Sequence, residues 1–136
     1  MPDEPPVPLH GEPDEVYDDH DMIAKLGLDP DQKIADWYFH YTNCLFAVQE
    51  SKGGYLRDGI AQLESTILQL KEKGRKVHLA VIFMERIGRE KQLYDIDKDR
   101  DNTLLRKSGK EVKVEGVSVH FFVRNDVREI RERGRL

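Results

Sequence analysis

From Val77 to Met84 the chain reads Val-His-Leu-Ala-Val-Ile-Phe-Met, apolar at every position but one. In an extended chain Val77, Leu79, Val81 and Phe83 fall on one side, and His78, Ala80, Ile82 and Met84 on the other. A strand that is apolar on both sides has to be covered on both sides, so it belongs inside a sheet with further structure against each face. Composition leaves room for such a core. Of 136 residues, 38% are hydrophobic and 35% charged, which fits one domain with a strongly charged surface rather than a disordered chain.

Before this strand the apolar period is helical. Ile34, Trp37, Tyr41, Leu45 and Val48 recur at spacings of three or four and predict a helix from Asp31 to about Ser51. Asp29 would be its N-cap, with Pro30 at the first position and Gln32 reaching back to the cap. Phe39 and Phe46 would clothe a second face, and Lys52-Gly53-Gly54 breaks the pattern. A second helix is expected from Tyr55 to Lys73 on Leu56, Ile60, Leu63, Ile67 and Leu70, a short coiled-coil-like seam ended near Gly74. The two would form an αα-hairpin. A shorter amphipathic turn is expected at Asp21–Leu26, closed by Gly27.

After the central strand the signals are those of turns. Lys107-Ser-Gly-Lys110 predicts a hairpin. Val112 and Val114 alternate with Lys113 and Glu115. At Gly116 the phase slips to Val117, Val119, Phe121 and Val123, which predicts a two-residue hairpin at Glu115-Gly116. Asn125 or Asp126 can cap a final short helix through Arg133. The fold expected is α+β. A helical hairpin packs on a small, mainly antiparallel sheet. Residues 1–29 form an extended acidic, proline-rich arm, residues 30–136 one domain, and the chain closes on a short basic helix.

Charge is divided along the chain. Residues 1–32 carry ten acidic side chains against Lys25, a balance of −9; the rest carries 21 basic against 16 acidic, a balance of +5. Asp14, Glu15, Asp18 and Asp19 stand at one end and Arg124, Arg128, Arg131, Arg133 and Arg135 at the other. Arginine's planar fork suits carboxylates and phosphates, so the two ends could bind each other or a neighbour. No apolar run approaches the roughly 20 residues of a membrane span. The start, Met-Pro-Asp-Glu-Pro-Pro, lacks a signal peptide's basic and apolar regions. A cytoplasmic protein, cellular or viral, is expected. Cys44 is the single cysteine, so there is no intrachain disulfide and no cysteine-rich zinc framework.

The run Asp95-Ile-Asp97-Lys-Asp99-Arg-Asp101 offers carboxylates at alternate positions, as hard divalent cations require. Asp97, Asp99 and Asp101 match the first, third and fifth positions of an EF-hand loop, whose ion is Ca²⁺. Asn102 replaces the sixth-position glycine, and Ser108 the closing glutamate. Read instead as Asp101 followed by Glu111-Val112-Lys113, the segment resembles the PD-(D/E)xK nucleases over about fifteen residues, without their Pro-Asp pair. That resemblance implies that an Asp and Glu111 hold Mg²⁺, Mn²⁺ or another divalent ion while Lys113 orients water or phosphate, with the Glu-x-Lys segment on a central strand. The competing account is a charged connecting loop rich in turn-forming residues.

His40 and Cys44 have metal-ligand spacing if they share a helix, although two ligands do not complete a zinc site. His78 and His120 lie on different predicted strands and could pair across a sheet. No Ser-His-Asp spacing, phosphate-binding glycine loop or dinucleotide fingerprint is present.

Together these features favour a non-enzymatic assembly or protein-interaction subunit, a protein partner or homo-oligomer, and no cofactor. The alternatives are a divalent-metal-dependent nuclease or phosphoryl-transfer protein, and a nucleic-acid-binding regulator shielded by its own acidic arm.

Overall fold

The computed structural model describes residues 14–40, 45–50, 56–84, 94, 95 and 103–123; for 45–50, 83, 84, 103, 122 and 123 it describes the backbone only. Among these residues the elements are β1 (Glu15–Asp18), α1 (Asp19–Leu26), β2 (Trp37–His40), β3 (Leu45–Glu50), α2 (Leu56–Glu72), β4 (Leu79–Met84), β5 (Thr103–Leu104), β6 (Arg106–Lys107), β7 (Lys110–Glu111), β8 (Lys113–Val114) and β9 (Val117–Val123). The mixed α and β character agrees with the sequence.

The chain is built on one seven-stranded sheet of order β1-β2-β3-β4-β9-β5, with β8 also paired to β9. β1, β2 and β3 form an antiparallel set, registered by Asp18 opposite Trp37 and Trp37 opposite Ala47. Helix α2 then crosses over, so that β4 lies parallel to β3, with Ala47 opposite Val81. β9 is parallel to β4 on its other side, with Val81 opposite His120. The biapolar strand β4 therefore lies between two parallel neighbours, where its sequence placed it.

The expected helical hairpin is replaced by strand. The stretch read as a first helix contains β2 and β3 instead. Trp37, Tyr38 and Phe39 are consecutive, aromatic and buried, which suits a strand covered on both faces, and strand pairing on either side overrode the apparent helical period. The capping residues make an isolated turn. Asp29 Oδ1 accepts the N–H of Asp31 at 2.9 Å, and the Asp29 carbonyl accepts the N–H of Gln32 at 3.1 Å. The seam on α2 survives, but it faces the sheet. Leu56, Leu63, Ile67 and Leu70 are fully buried, with Gly59 and Thr66 at the contact. The sheet is mixed: β1–β2, β2–β3, β5–β9 and β8–β9 pair antiparallel, and the crossover makes the central pairs β3–β4 and β4–β9 parallel.

Residues 15–28, within the stretch expected to be an arm, supply β1, α1 and the core side chains Tyr17, Met22 and Leu28. Helix α1 opens on a capping box, with Asp18 Oδ1 accepting from the Asp21 N–H at 2.7 Å and Asp21 Oδ2 accepting from the Asp18 N–H at 3.3 Å. The C-terminus of α2 closes as a Schellman motif. The Arg75 N–H donates to the Leu70 carbonyl at 2.9 Å and the Gly74 N–H to the Lys71 carbonyl at 3.0 Å. Both expected hairpins are present. Ser108-Gly109 joins β6 to β7 and Glu115-Gly116 joins β8 to β9, all four residues having positive φ as a type I′ turn requires. Residues 1–13 and 124–136, including the expected basic helix, lie outside the described residues.

Candidate functional site

Strand direction decides which residues meet. β1, β3, β4 and β9 all run the same way, and β2 runs against them. Asp18, Glu50, Met84 and Val123 therefore end their strands at one end of the sheet, and Asp36, just before β2, stands at that same end. In sheets with parallel strands this is where ligands gather, outside the carboxyl ends.

Asp36 and Glu50 are the chemically notable pair there. The β2–β3 register ends with Trp37 opposite Ala47, and Asp36 is the residue just before it. Asp36 and Glu50 thus stand on neighbouring chain segments at the same end of the sheet. Asp36 is half-buried. Glu50 is followed in sequence by Ser51 and Lys52, so the letters Glu-x-Lys begin at the end of a central strand.

The backbone before Asp36 is fixed by helix α2. Thr66 is fully buried, and its hydroxyl oxygen accepts the Ala35 N–H at 2.9 Å. The same hydroxyl lies 2.7 Å from the Gln62 carbonyl, to which it can donate. Asp29 is tied to the same helix, its N–H donating to Gln69 Oε1 at 2.7 Å. At the other edge, Asp18 is committed to capping α1, and Asp19 Oδ1 accepts from the His20 N–H at 3.0 Å. Asp14 is exposed, and its N–H donates to the His40 carbonyl at 2.7 Å; Glu15 is exposed on β1 opposite His40.

The sequence candidates are distributed differently. Glu111 and Lys113 are both exposed, on the short strands β7 and β8, and β8 pairs with the start of β9 at the far end of the sheet from Asp36. Glu111 accepts a hydrogen bond from the Ser118 hydroxyl. Asp97, Asp99 and Asp101 lie outside the described residues, as do Cys44 and Arg124, Arg128, Arg131, Arg133 and Arg135. Asp95, which opens the aspartate run, has a local task. Its Oδ2 accepts the Gly109 N–H at 2.8 Å, bracing the β6–β7 turn. His40 lies on a strand, which removes the helical spacing that linked it to Cys44. The register sets Val81, not His78, opposite His120. Burial lowers the His120 pKa below its usual 6.5, and the charge of Glu111 opposes that shift.

Among the described residues no cluster of three or more His, Cys, Asp or Glu side chains has metal-binding geometry. No described helix is long and apolar enough to cross a membrane. Comparison with protein-family profiles, curated proteins and solved structures gives no match.

Asp36 and Glu50 escaped the sequence reading because the segment carrying them was read as helix. On a helix Glu50-Ser51-Lys52 is an ordinary charged end. In the structure Glu50 instead closes a central strand, at the end of the sheet where β1, β4 and β9 also end.

Proposed function

We propose that this chain is a small divalent-metal-dependent phosphoryl-transfer protein, with nuclease activity as its specific form, using Asp36, Glu50 and Lys52. One observation supports the reading: antiparallel pairing of β2 with β3 brings Asp36 to the end of the sheet at which the central strand β3 closes on Glu50, and in sequence Glu50 is followed by Ser51 and Lys52. The donor set suits Mg²⁺ or Mn²⁺. Mg²⁺ keeps much of its water and is commonly held by one or two carboxylates together with substrate phosphate, so two acidic residues suffice.

The metal would supply charge neutralisation at the phosphoryl group. The chain's own contributions are separable. Asp36 and Glu50 provide the two anionic ligands from adjacent strands. Lys52 provides a cation for a phosphate oxygen or for orienting the attacking water. In the hydrolysis the water oxygen bonds to phosphorus, the bond to the leaving oxygen breaks, and that oxygen takes up a proton. Thr66 acts as a positioning residue, holding the Ala35 backbone next to Asp36.

Incubation of the purified chain with supercoiled plasmid and with single-stranded RNA, with and without Mn²⁺ or Mg²⁺, tests the proposal. Metal-dependent nicking or cleavage is expected, reduced at least a hundredfold in Asp36→Asn, Glu50→Gln and Lys52→Ala, while Glu111→Ala retains it. Mn²⁺ is also expected to raise the melting temperature through binding to the folded state, and to do so less in Asp36→Asn. Absence of both effects, or full activity in Glu50→Gln, refutes the assignment.

A second reading, as an assembly or protein-interaction subunit, is favoured by an acidic groove on the outer face of α2.

A further inference from the structure

The side of α2 turned away from the sheet carries a groove of about 470 Å³, a volume within the range of small-molecule sites. Asp29, Glu64 and Glu72 line it, with Gln32, Gln69 and Leu68. Leu68 is the exposed large hydrophobic residue among those described, at 41%. No described lysine or arginine forms an ion pair with the three carboxylates; the described pair, Lys25 with Asp21 at 3.6 Å, belongs to α1. Among the described residues the groove therefore combines carboxylates that form no ion pair with an apolar anchor point, which asks for a cationic surface with aliphatic stems.

The same chain presents such a surface elsewhere. Arg106, Lys107 and Lys110 on the β6–β7 hairpin, and Lys113 on β8, are all exposed. The hairpin is held in place by the Asp95 carboxylate on the Gly109 N–H and by the Asp95 N–H on the Arg106 carbonyl, both at 2.8 Å. Lys107 has its ammonium 5.7 Å from the centre of the Tyr94 ring. The hairpin is thus a preformed cationic tip, and the groove a preformed acidic recess. Glu64, Leu68 and Glu72 lie on the side of α2 opposite the residues that pack on the sheet, so the recess opens to solvent.

We propose that the α2 groove receives the β6–β7 hairpin of a second copy of this chain. Two different patches make the contact, so association is head to tail and proceeds to a ring or to an open row of subunits. Lysine and arginine stems cover Leu68 while their charged ends meet Asp29, Glu64 and Glu72. The contact is small and charge-driven, and it weakens steeply as salt rises. It rests on the assembly reading and not on the phosphoryl-transfer one, since neither Asp36 nor Glu50 lines the groove or belongs to the hairpin.

Two charge reversals in the full chain test the contact. Glu64→Lys with Glu72→Lys reverses the groove, and Lys107→Glu with Lys110→Glu reverses the hairpin. All four positions are exposed, and thermal melting checks that each variant folds. Sedimentation or light scattering at low salt is expected to show oligomers for the wild-type chain, and monomers for each variant alone. Mixing the variants should restore association, because every groove then meets a hairpin of opposite sign. A wild-type chain that stays monomeric at millimolar concentration and low salt overturns the proposal. So does association that either reversal leaves unchanged, or a mixture that stays monomeric.

Discussion

The buried hydroxyl of Thr66 accepts the backbone N–H of Ala35 at 2.9 Å, across 31 residues of sequence. One α2 side chain thereby holds the entry to β2 and the position of Asp36. Thr66→Val keeps the shape but removes the acceptor, leaving a buried N–H without a partner. A cost of about 1–3 kcal/mol is expected in denaturant unfolding. Thr66→Ser keeps the hydroxyl and is expected to recover most of that loss. A loss in Thr66→Ser with none in Thr66→Val would instead place the role of Thr66 in its methyl group.

Met22 tests the role of the acidic N-terminal region. It is fully buried in the main core cluster, although the sequence around it is that of a charged leader. Met22→Ala is expected to cost about 2–5 kcal/mol, as for a core truncation. Deletion of residues 1–13 spares every described element. Deletion through residue 28 removes β1, α1 and three core side chains, and is expected to unfold the chain. Circular dichroism of the two truncations separates these outcomes.

His120 gives a direction for pH. Burial disfavours its charged form, so its folded pKa lies below the unfolded value of 6.5. The unfolded chain then binds the proton more readily. His120's contribution to stability is fully present above pH 6.5 and is lost as pH falls through the folded pKa. His120→Gln is expected to flatten the fall in melting temperature below pH 6.5. An unchanged slope would remove His120 as its source.

The β8–β9 turn predicts a backbone effect free of packing. Glu115 and Gly116 have φ of 50° and 79°, and a methyl group added at Gly116 would meet nothing within 4 Å. Gly116→Ala is therefore expected to cost about 1–2 kcal/mol from left-handed strain alone. Replacing Glu115 by Asn, which tolerates this region better, is expected to stabilise the turn. Urea midpoints of the two variants should move in opposite directions.

The parts of the fold read correctly from sequence were those with a local cause. Helix α2, the central strand β4 and both hairpins carry their own signals in apolar period, glycine position and turn chemistry. The stretch from Ile34 to Val48 fits two periods at once, and only its partners resolve the choice. β1 on one side of β2, and β3 on the other, satisfy backbone groups that a helix would have satisfied internally. The candidate site suffered from the same ambiguity, because Asp36 and Glu50 come to one end of the sheet only through that pairing. The aspartate run drew notice by its composition, yet Asp95 serves a turn.

Among the described strands β1 is the last on its side of the sheet, the position at which a strand offers backbone donors and acceptors to another chain. Its residues and flanks include Asp14, Glu15, Asp18 and Asp19. Two such margins approaching side by side would bring like charges together at both ends of the strand, around Val16 and Tyr17. The acidity that looks in sequence like the mark of a loose leader thus also guards against uncontrolled sheet extension. Acidic solution, or Asn and Gln in place of these carboxylates, would remove that guard, and fibrous aggregation would be its visible sign.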